Sequence, residues 1–198
     1  TPPRDPDTIK MLEDEYYSSN YDIRSMLRVL FNSDAFKDAR FARIKGPIET
    51  VIGTLRLAGD WTTPKPGFEA IFEEMKHMGQ EILNPPSVEG WHTGREWIDS
   101  GTLVERINFT ADQMGNTDLL GVQAIIARLG SEGIDQPSTL VDRCLDMLGG
   151  YTLPDDTHSY LVEHIGKTGE LKPGSESYGG QIAQTLQLIV ATQEYQFA

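Results

Sequence analysis

The spacing of apolar residues is the feature that most constrains this chain, because it repeats every three to four residues, the period of an α-helix. Between Gly46-Pro47 and Gly59, one helical face carries apolar side chains at positions 48, 51, 52, 55 and 58. Proline is favoured at the first position of a helix and glycine just beyond the last. The pattern therefore predicts a helix over 47–58.

Similar stripes along the chain predict some eight helices, and strict alternation of apolar and polar residues, the signal of a β-strand, is almost missing. The expected fold class is all-α, an irregular multi-helix bundle joined by short Gly/Pro-rich loops. Two prolines spaced by one residue predict that 60–67 is a loop. The capping residues expected at helix ends are Asp22, Thr102 with Glu105 as a capping box, Gly130 as a stop and Ser138 as an N-cap.

Charge is spread unevenly along the chain. The 17 basic and 30 acidic residues give a net charge of −13, and residues 1–60, 61–110 and 111–198 contribute −1, −4 and −8. Nucleic acid and anionic lipid are excluded as partners, because binding phosphates needs clustered Lys and Arg. The turn at Gly115-Asn116, where basic residues become rare, predicts a helical core over 1–115 and acidic C-terminal helices over 116–198, packed together as one domain.

Membrane, disulfide and metal signals are weak throughout the sequence. No apolar run approaches the roughly 20 residues of a membrane helix, so neither membrane insertion nor a signal peptide is expected. Cys144 is the only cysteine, and its place on an apolar stripe predicts a buried, inert thiol, with the redox compartment left open. His158 and His164 lie six residues apart, a poor spacing for metal ligands on one helical face, so no metal site is expected.

The segment 78–109 concentrates residues that are costly to place in a loop. It contains Pro85-Pro86, Gly90, Gly94 and two of the three tryptophans. The candidate ligand-binding residues are Trp91, His92, Arg95 and Trp97, because indole rings stack on sugars and an arginine can bind a carboxylate. The alternative is that the tryptophans pack between helical layers while the prolines fix the crossing.

Polar residues on otherwise apolar helices suggest a buried network near this loop. An arginine close to the core must be paired, so Arg56 and Arg106 are expected in a network that Asn108 completes. The residues assigned to this structural role are Arg56, Gln80, Pro85, Pro86, Gly90, Arg106 and Asn108.

An ordered set of short motifs resembles a known bacterial family. The motifs are Ile44-Lys45-Gly46-Pro47, Gly53-Thr54-Leu55-Arg56, Met78-Gly79-Gln80, Pro85-Pro86-x-Val88-x-Gly90-Trp91 with Trp97, Arg106-x-Asn108-Phe109 and the ending Glu194-Tyr195-Gln196-Phe197. They resemble the C-terminal part of DUF1800, an uncharacterised family. The resemblance implies that an N-terminal part is missing here and that the protein is exported, to the periplasm or beyond, although a cytoplasmic location stays open. It carries over no catalytic residues.

Enzyme templates are not found in the sequence. There is no Gly-x-Ser-x-Gly elbow, P-loop, dinucleotide fingerprint or His-Glu-x-x-His motif, so no reaction and no cofactor is predicted. Two hypotheses remain. The first is a non-catalytic helical interaction or scaffold module, whose partner is a protein or the missing N-terminal part. The alternative is a domain that binds or processes a neutral glycan through Trp91 and Trp97.

Overall fold

The computed structural model describes residues 5–59 and 66–197, so most of the loop predicted at 60–67 lies outside the described residues. Within these ranges the chain is all-α, as predicted, with ten α-helices and no strand. None of the described helices is long and apolar enough to cross a membrane. The helices are α1 (Pro6–Ser18), α2 (Ile23–Asn32), α3 (Asp34–Asp38), α4 (Pro47–Ala58), α5 (Glu69–His77), α6 (Ser100–Gly115), α7 (Leu120–Glu132), α8 (Pro137–Leu148), α9 (Asp155–Lys167) and α10 (Tyr178–Val190).

Several helix ends differ from the prediction. Asp99 caps α6, and its side chain accepts hydrogen bonds from the backbone N–H groups of Gly101 and Thr102, so the capping box predicted for Thr102 and Glu105 is wrong. α7 runs past Gly130 to Glu132, and Gly133, whose φ of 67° is left-handed, is its C-cap. α8 begins at a proline, which places Ser138 inside the helix. Asp22 does cap α2, accepting from Arg24 N at 3.0 Å.

The described chain divides into two compact units, one reaching Ile44 and the other running from Lys45 to Phe197. We call them the N-terminal unit (residues 5–44) and the C-terminal unit (residues 45–197). The helices on both sides of residue 115 belong to the C-terminal unit, where α10 packs on α6, α7, α8 and α9. The boundary predicted at 115 stays a prediction.

Two apolar clusters form the core of the C-terminal unit. The larger one joins the helices from α7 to α10, with Leu129, Leu140, Ile165 and Leu186 fully or almost fully enclosed. The smaller one joins α4, α5 and the middle of α6. Its members are Val51, Leu55, Ile71, Met75, Met78 and Phe109. Burial of these apolar side chains therefore stabilises the packing of the helices in the C-terminal unit.

The N-terminal unit is a helical hairpin, α1 against α2, followed by the short α3. Its helix starts are well capped, since Asp5, Asp22 and Ser33 each accept hydrogen bonds from the backbone of the next turn. A hydrogen bond from Ser25 to Glu15 ties α2 to α1. None of its described residues is buried, so it forms no enclosed core of its own.

A close backbone approach in the C-terminal unit gives a first prediction. A Cβ atom on Gly121 of α7 would lie 2.8 Å from the carbonyl carbon of Ala58 and closer still to the carbonyl oxygen of Leu57. Backbone atoms at the end of α4 cannot move aside as a flexible side chain would. Gly121→Ala should therefore lower the free energy of unfolding by about 3 kcal/mol, measured by urea denaturation.

Gly53→Ala is the matched control for this prediction. Gly53 lies within α4 and is exposed, and a Cβ atom added to it would meet no other atom within 4 Å. Alanine is the better helix former, so this variant should gain about 0.5–1 kcal/mol. Equal effects of the two substitutions would contradict the close approach.

Candidate functional site

Trp97 lies inside the C-terminal unit, at the end of a 3₁₀ turn over Gly94–Trp97, and is only 7% exposed. A Cβ atom on Gly79 would lie 4.0 Å from its ring, and one on Gly46 would lie 3.9 Å from its Nε1. The indole thus lies between the end of α5 and the start of α4, close to Gly46 and Gly79. This placement fits the packing alternative for Trp97.

Trp91 is half-buried and holds the preceding loop together. Its Nε1 donates a hydrogen bond to the carbonyl oxygen of Glu81 at 3.2 Å. The Glu81 carboxylate also accepts from Asn84 Nδ2 at 2.8 Å and pairs with Lys76 at 3.2 Å. These two contacts, the Asn84 hydrogen bond first, hold the pKa of Glu81 below its usual value. Trp91 therefore anchors this loop through a hydrogen bond to its backbone, beside the polar contacts of the Glu81 carboxylate.

His92 and Arg95 are exposed, unlike Trp97. The His92 Nδ1 atom lies 3.5 Å from Glu96 Oε2, and its ring meets that of Trp97 edge-on at 6.3 Å between centroids. A buried Trp97 offers no face to a sugar, so the structure does not bring two exposed indoles together. Glycan binding through this loop stays a prediction that depends on Trp91, His92 and Arg95.

The prolines of the same loop lie at its exposed tip. Pro85 and Pro86 are followed by a turn in which Gly90 N donates to Ser87 O at 3.1 Å. Gly90 has a φ of 99°, a backbone conformation that glycine adopts without strain. Pro85, Pro86 and Gly90 therefore lie in a surface turn, and the structural role predicted for them stays a prediction.

A fully buried guanidinium is the centre of the polar network in the C-terminal unit. Arg106 of α6 has no exposed surface. Its Nη2 donates to Lys45 O at 2.7 Å, and its Nη1 donates to Thr50 Oγ1 at 3.0 Å and to Gln196 Oε1 at 3.5 Å. Burial lowers the pKa of this guanidinium. One side chain therefore joins α6 to the start of α4 and to the last residues of the C-terminal unit.

Lys45 completes this network beside Arg106. Its Nζ donates to the carbonyl oxygen of Tyr195 at 2.6 Å and to Tyr151 Oη at 2.7 Å, and it lies 4.0 Å from the centroid of the Tyr195 ring. Burial lowers the Lys45 pKa to about 8, with Glu49 opposing the shift and Arg106 adding to it. The Tyr195 hydroxyl meets Thr54 Oγ1 at 3.0 Å, and burial raises the Tyr195 pKa to about 12.

Two residues assigned to this network from the sequence lie outside it. Arg56 and Asn108 are exposed, so their predicted place in a buried network is wrong. On α4 the buried row holds Thr50, Thr54 and Ala58, while Arg56 shares the exposed row with Ile52. Gln80 does contribute a contact, because its Oε1 accepts from Ile48 N at 2.9 Å at the first turn of α4.

Sequence reasoning missed several members of the network. Lys45, Tyr195 and Gln196 stand in the motifs shared with the family, and that was the available signal for them. Tyr151 lies in a loop between α8 and α9 and carries no motif that would have singled it out. A contact between residues 45 and 151 depends on tertiary folding, which periodicity does not report.

The N-terminal unit exposes an apolar surface. From their helical spacing alone, its residues could not be distinguished from core residues. Apolar residues recur along α2 at helical spacing, yet Ile23, Leu27 and Phe31 are 52%, 39% and 53% exposed. We call these three residues the α2 stripe. Met26 and Leu30, on the neighbouring face of the helix, are half-buried. Beside the stripe, an open apolar pocket of about 590 Å³ is lined by side chains of α1, α2 and α3.

The reactive groups in the described chain give little support for catalysis. Cys144 is buried, and burial raises its thiol pKa to about 12, so it is an inert thiol as predicted. His158 Nε2 lies 2.8 Å from Asp142 Oδ1 at the surface, and no third group among the described residues completes a triad with them. The described residues contain no cluster of three or more His, Cys, Asp or Glu side chains suited to a metal ion.

The protein is an all-α protein with a polar network of Arg106 and Lys45 in its C-terminal unit. Comparison of the sequence with known families identifies its family. The model of DUF1800, described as a protein of unknown function, matches residues 1–197. The chain belongs to that family, as the motifs had indicated. Neither the curated proteins nor the solved structures contain a match to the chain.

Removing the buried guanidinium should destabilise the protein strongly. Arg106→Ala would leave the Lys45 carbonyl and Thr50 hydroxyl without their donor and open a cavity in the core. We expect a loss of about 3–5 kcal/mol in the free energy of unfolding, measured with urea. Arg128→Ala is the control, because Arg128 is 63% exposed, and should change stability by less than about 0.5 kcal/mol. Similar losses in both variants would refute the central role of Arg106.

The pKa of Lys45 predicts a pH dependence of stability. Between pH 8 and 10.5 the unfolded chain keeps the Lys45 proton while the folded chain has lost it, so raising the pH favours the folded state. Below pH 8 both states are protonated and the folded state bears the full cost of the buried charge. The wild type should therefore gain about 1 kcal/mol relative to Lys45→Met between pH 8 and 9.5.

The measurement is urea unfolding of both proteins at several pH values. Taking the difference between them cancels the titration of Cys144, which both contain and which acts in the opposite direction, because its folded pKa is raised. A constant difference across this pH range would show that Lys45 titrates as an exposed lysine.

Proposed function

We propose that this chain is a non-catalytic helical interaction module, and that the α2 stripe of the N-terminal unit is its contact surface. The single observation behind this proposal is the contrast in burial between the two units. Every buried apolar side chain of the described chain lies between Pro47 and Tyr195, and none lies in the N-terminal unit. Large exposed apolar patches on proteins commonly mark binding surfaces.

The exposed side chains of the hairpin are large and numerous. Beyond the α2 stripe they include Ile9, Tyr17, Tyr21 and Phe36, between 40% and 67% exposed. Tyr16, Tyr17 and Tyr21 form edge-to-face pairs at 5.1 to 6.0 Å between centroids. Aromatic residues are enriched at protein interfaces, where they bury large areas with little loss of side-chain entropy.

The shape of the hairpin does not depend on burying this surface. Its helix caps and the Ser25–Glu15 hydrogen bond are polar contacts that remain when the stripe is exposed. A surface that is formed in advance binds with a smaller loss of conformational entropy. Family resemblance adds that the module belongs to an exported bacterial protein, with a protein as the partner.

Position-specific photo-crosslinking in cells of the source organism tests this proposal. A benzophenone amino acid replaces Phe31 in one variant and Tyr160 in the other, since Tyr160 is 62% exposed on α9 of the C-terminal unit. We expect a defined adduct from position 31 and none from position 160, because only the former lies on the proposed surface.

The captured protein must then be purified and titrated against the chain. Leu27→Asp should weaken its binding at least about tenfold, because it places a charge in an apolar contact. Circular dichroism should show unchanged helix content, since Leu27 is exposed. Adducts of equal yield at both positions, or binding unchanged by Leu27→Asp, would refute the proposal.

A further inference from the structure

The α2 stripe has a flank of positive charge. Arg24 and Arg28 directly follow Ile23 and Leu27, so each lies about 100° around the helix axis from its apolar neighbour, on the same side of the stripe. Both arginines are exposed, and neither has an ion pair among the described residues. The apolar row is therefore bordered by positive charge along one edge.

The apolar pocket adjoins the end of the same stripe. It is lined by Asp5, Thr8 and Ile9 at the start of α1, by Leu30 of α2, and by Ala35, Phe36 and Ala39 in and just after α3, so Asp5 is its one acidic lining residue. The rings of Phe31 and Phe36 meet edge-on at 5.1 Å between centroids, so the last residue of the stripe touches the pocket wall. Its volume of about 590 Å³ is large enough to admit an aromatic or branched apolar side chain.

We infer that the α2 stripe and this pocket bind an amphipathic helix of a partner protein, with acidic side chains along one flank and one large apolar residue seated in the pocket. This inference rests on the interaction function proposed above and specifies the partner. An apolar helix face laid against a groove is a common mode of recognition, and opposite charges along its border select partner and orientation.

Charge also argues against a second copy of this chain as the occupant. In a symmetric antiparallel pair of α2 helices, the two-fold axis places each flank against the same flank of the other copy. Arg24 and Arg28 would then face their own counterparts, and like charges opposed across an interface are unfavourable. A partner helix with carboxylates along its flank would instead place opposite charges against the arginines.

Two synthetic helical peptides with the same apolar face test the inference, one flanked by Glu and the other by Lys. Fluorescence anisotropy with the full chain at about 150 mM salt, a concentration chosen near physiological ionic strength, should show that the Glu peptide binds about tenfold more tightly. The net charge of the chain, −13, would by itself favour the Lys peptide. A preference for Glu must therefore come from the local arginines.

Matched variants separate the local charge from the total charge. Arg24→Glu with Arg28→Glu should reverse the preference, whereas Arg56→Glu with Lys172→Glu changes the net charge equally at exposed sites of the C-terminal unit and should leave it intact. Ala35→Leu should weaken a peptide with a Phe anchor about tenfold and leave one with an Ala anchor unaffected, because it fills the pocket.

The possible failures are distinguishable. Equal binding of both peptides, abolished by Leu27→Asp, would overturn the acidic partner and leave the interaction function standing. A concentration-dependent dimer lost in Leu27→Asp would identify a second copy as the occupant and overturn the inference. Absence of peptide binding together with a specific adduct at position 31 would also overturn only the inference, and absence of both would refute the interaction function itself.

Discussion

The hydrogen bonds of the buried Arg106 guanidinium are the interactions on which the rest of the C-terminal unit depends. They join a helix in the middle of the chain to the segment before α4 and to the last turn of the unit, residues that lie far apart in sequence. A buried cation is costly unless its donors are satisfied, and here carbonyl, hydroxyl and amide oxygens accept from the two Nη atoms, whereas the buried Nε has no partner among the described residues. The network therefore fixes which segments meet, because few other arrangements would supply these acceptors.

Lys45 extends the same constraint to the end of the unit. Its ammonium group lies against Tyr195 and donates to the backbone there, while its own backbone N–H donates to Gln196 O at 2.9 Å. Tyr151 brings the connection between α8 and α9 to the same point. In a chain with a net charge of −13, two of the few cations are thus buried or half-buried, and the carboxylates remain predominantly at the surface.

The sequence predicted the helices well and their buried faces less well, and α4 shows why. Its start at a proline follows from local backbone chemistry and its bounds agree with the prediction, although Gly59 ends it with a φ of −135°, an extended conformation that any residue can adopt. Hydrophobicity favoured Ile48 and Ile52 as core residues, yet both are exposed, and Thr50 and Thr54 are buried in their place. A threonine is preferred there because Arg106 and Tyr195 need hydroxyl partners, and that need exists only in the folded chain. The burial of Trp97 likewise depends on tertiary contacts with other segments, such as those around Gly46 and Gly79.

The two units differ in what stabilises them, and this difference underlies the function proposed above. The C-terminal unit encloses its own apolar clusters, whereas the hairpin of about 40 residues exposes its largest side chains. Short helices without a buried face gain little from packing, so their stability in isolation is small. A partner that covers the α2 stripe would bind the folded hairpin and not the unfolded one, and it would therefore stabilise the hairpin in proportion to the logarithm of its concentration over its dissociation constant. Partner binding would therefore add stability to a hairpin whose shape its helix caps already provide, and with the acidic helix proposed above the charge of Arg24 and Arg28 would add to that gain.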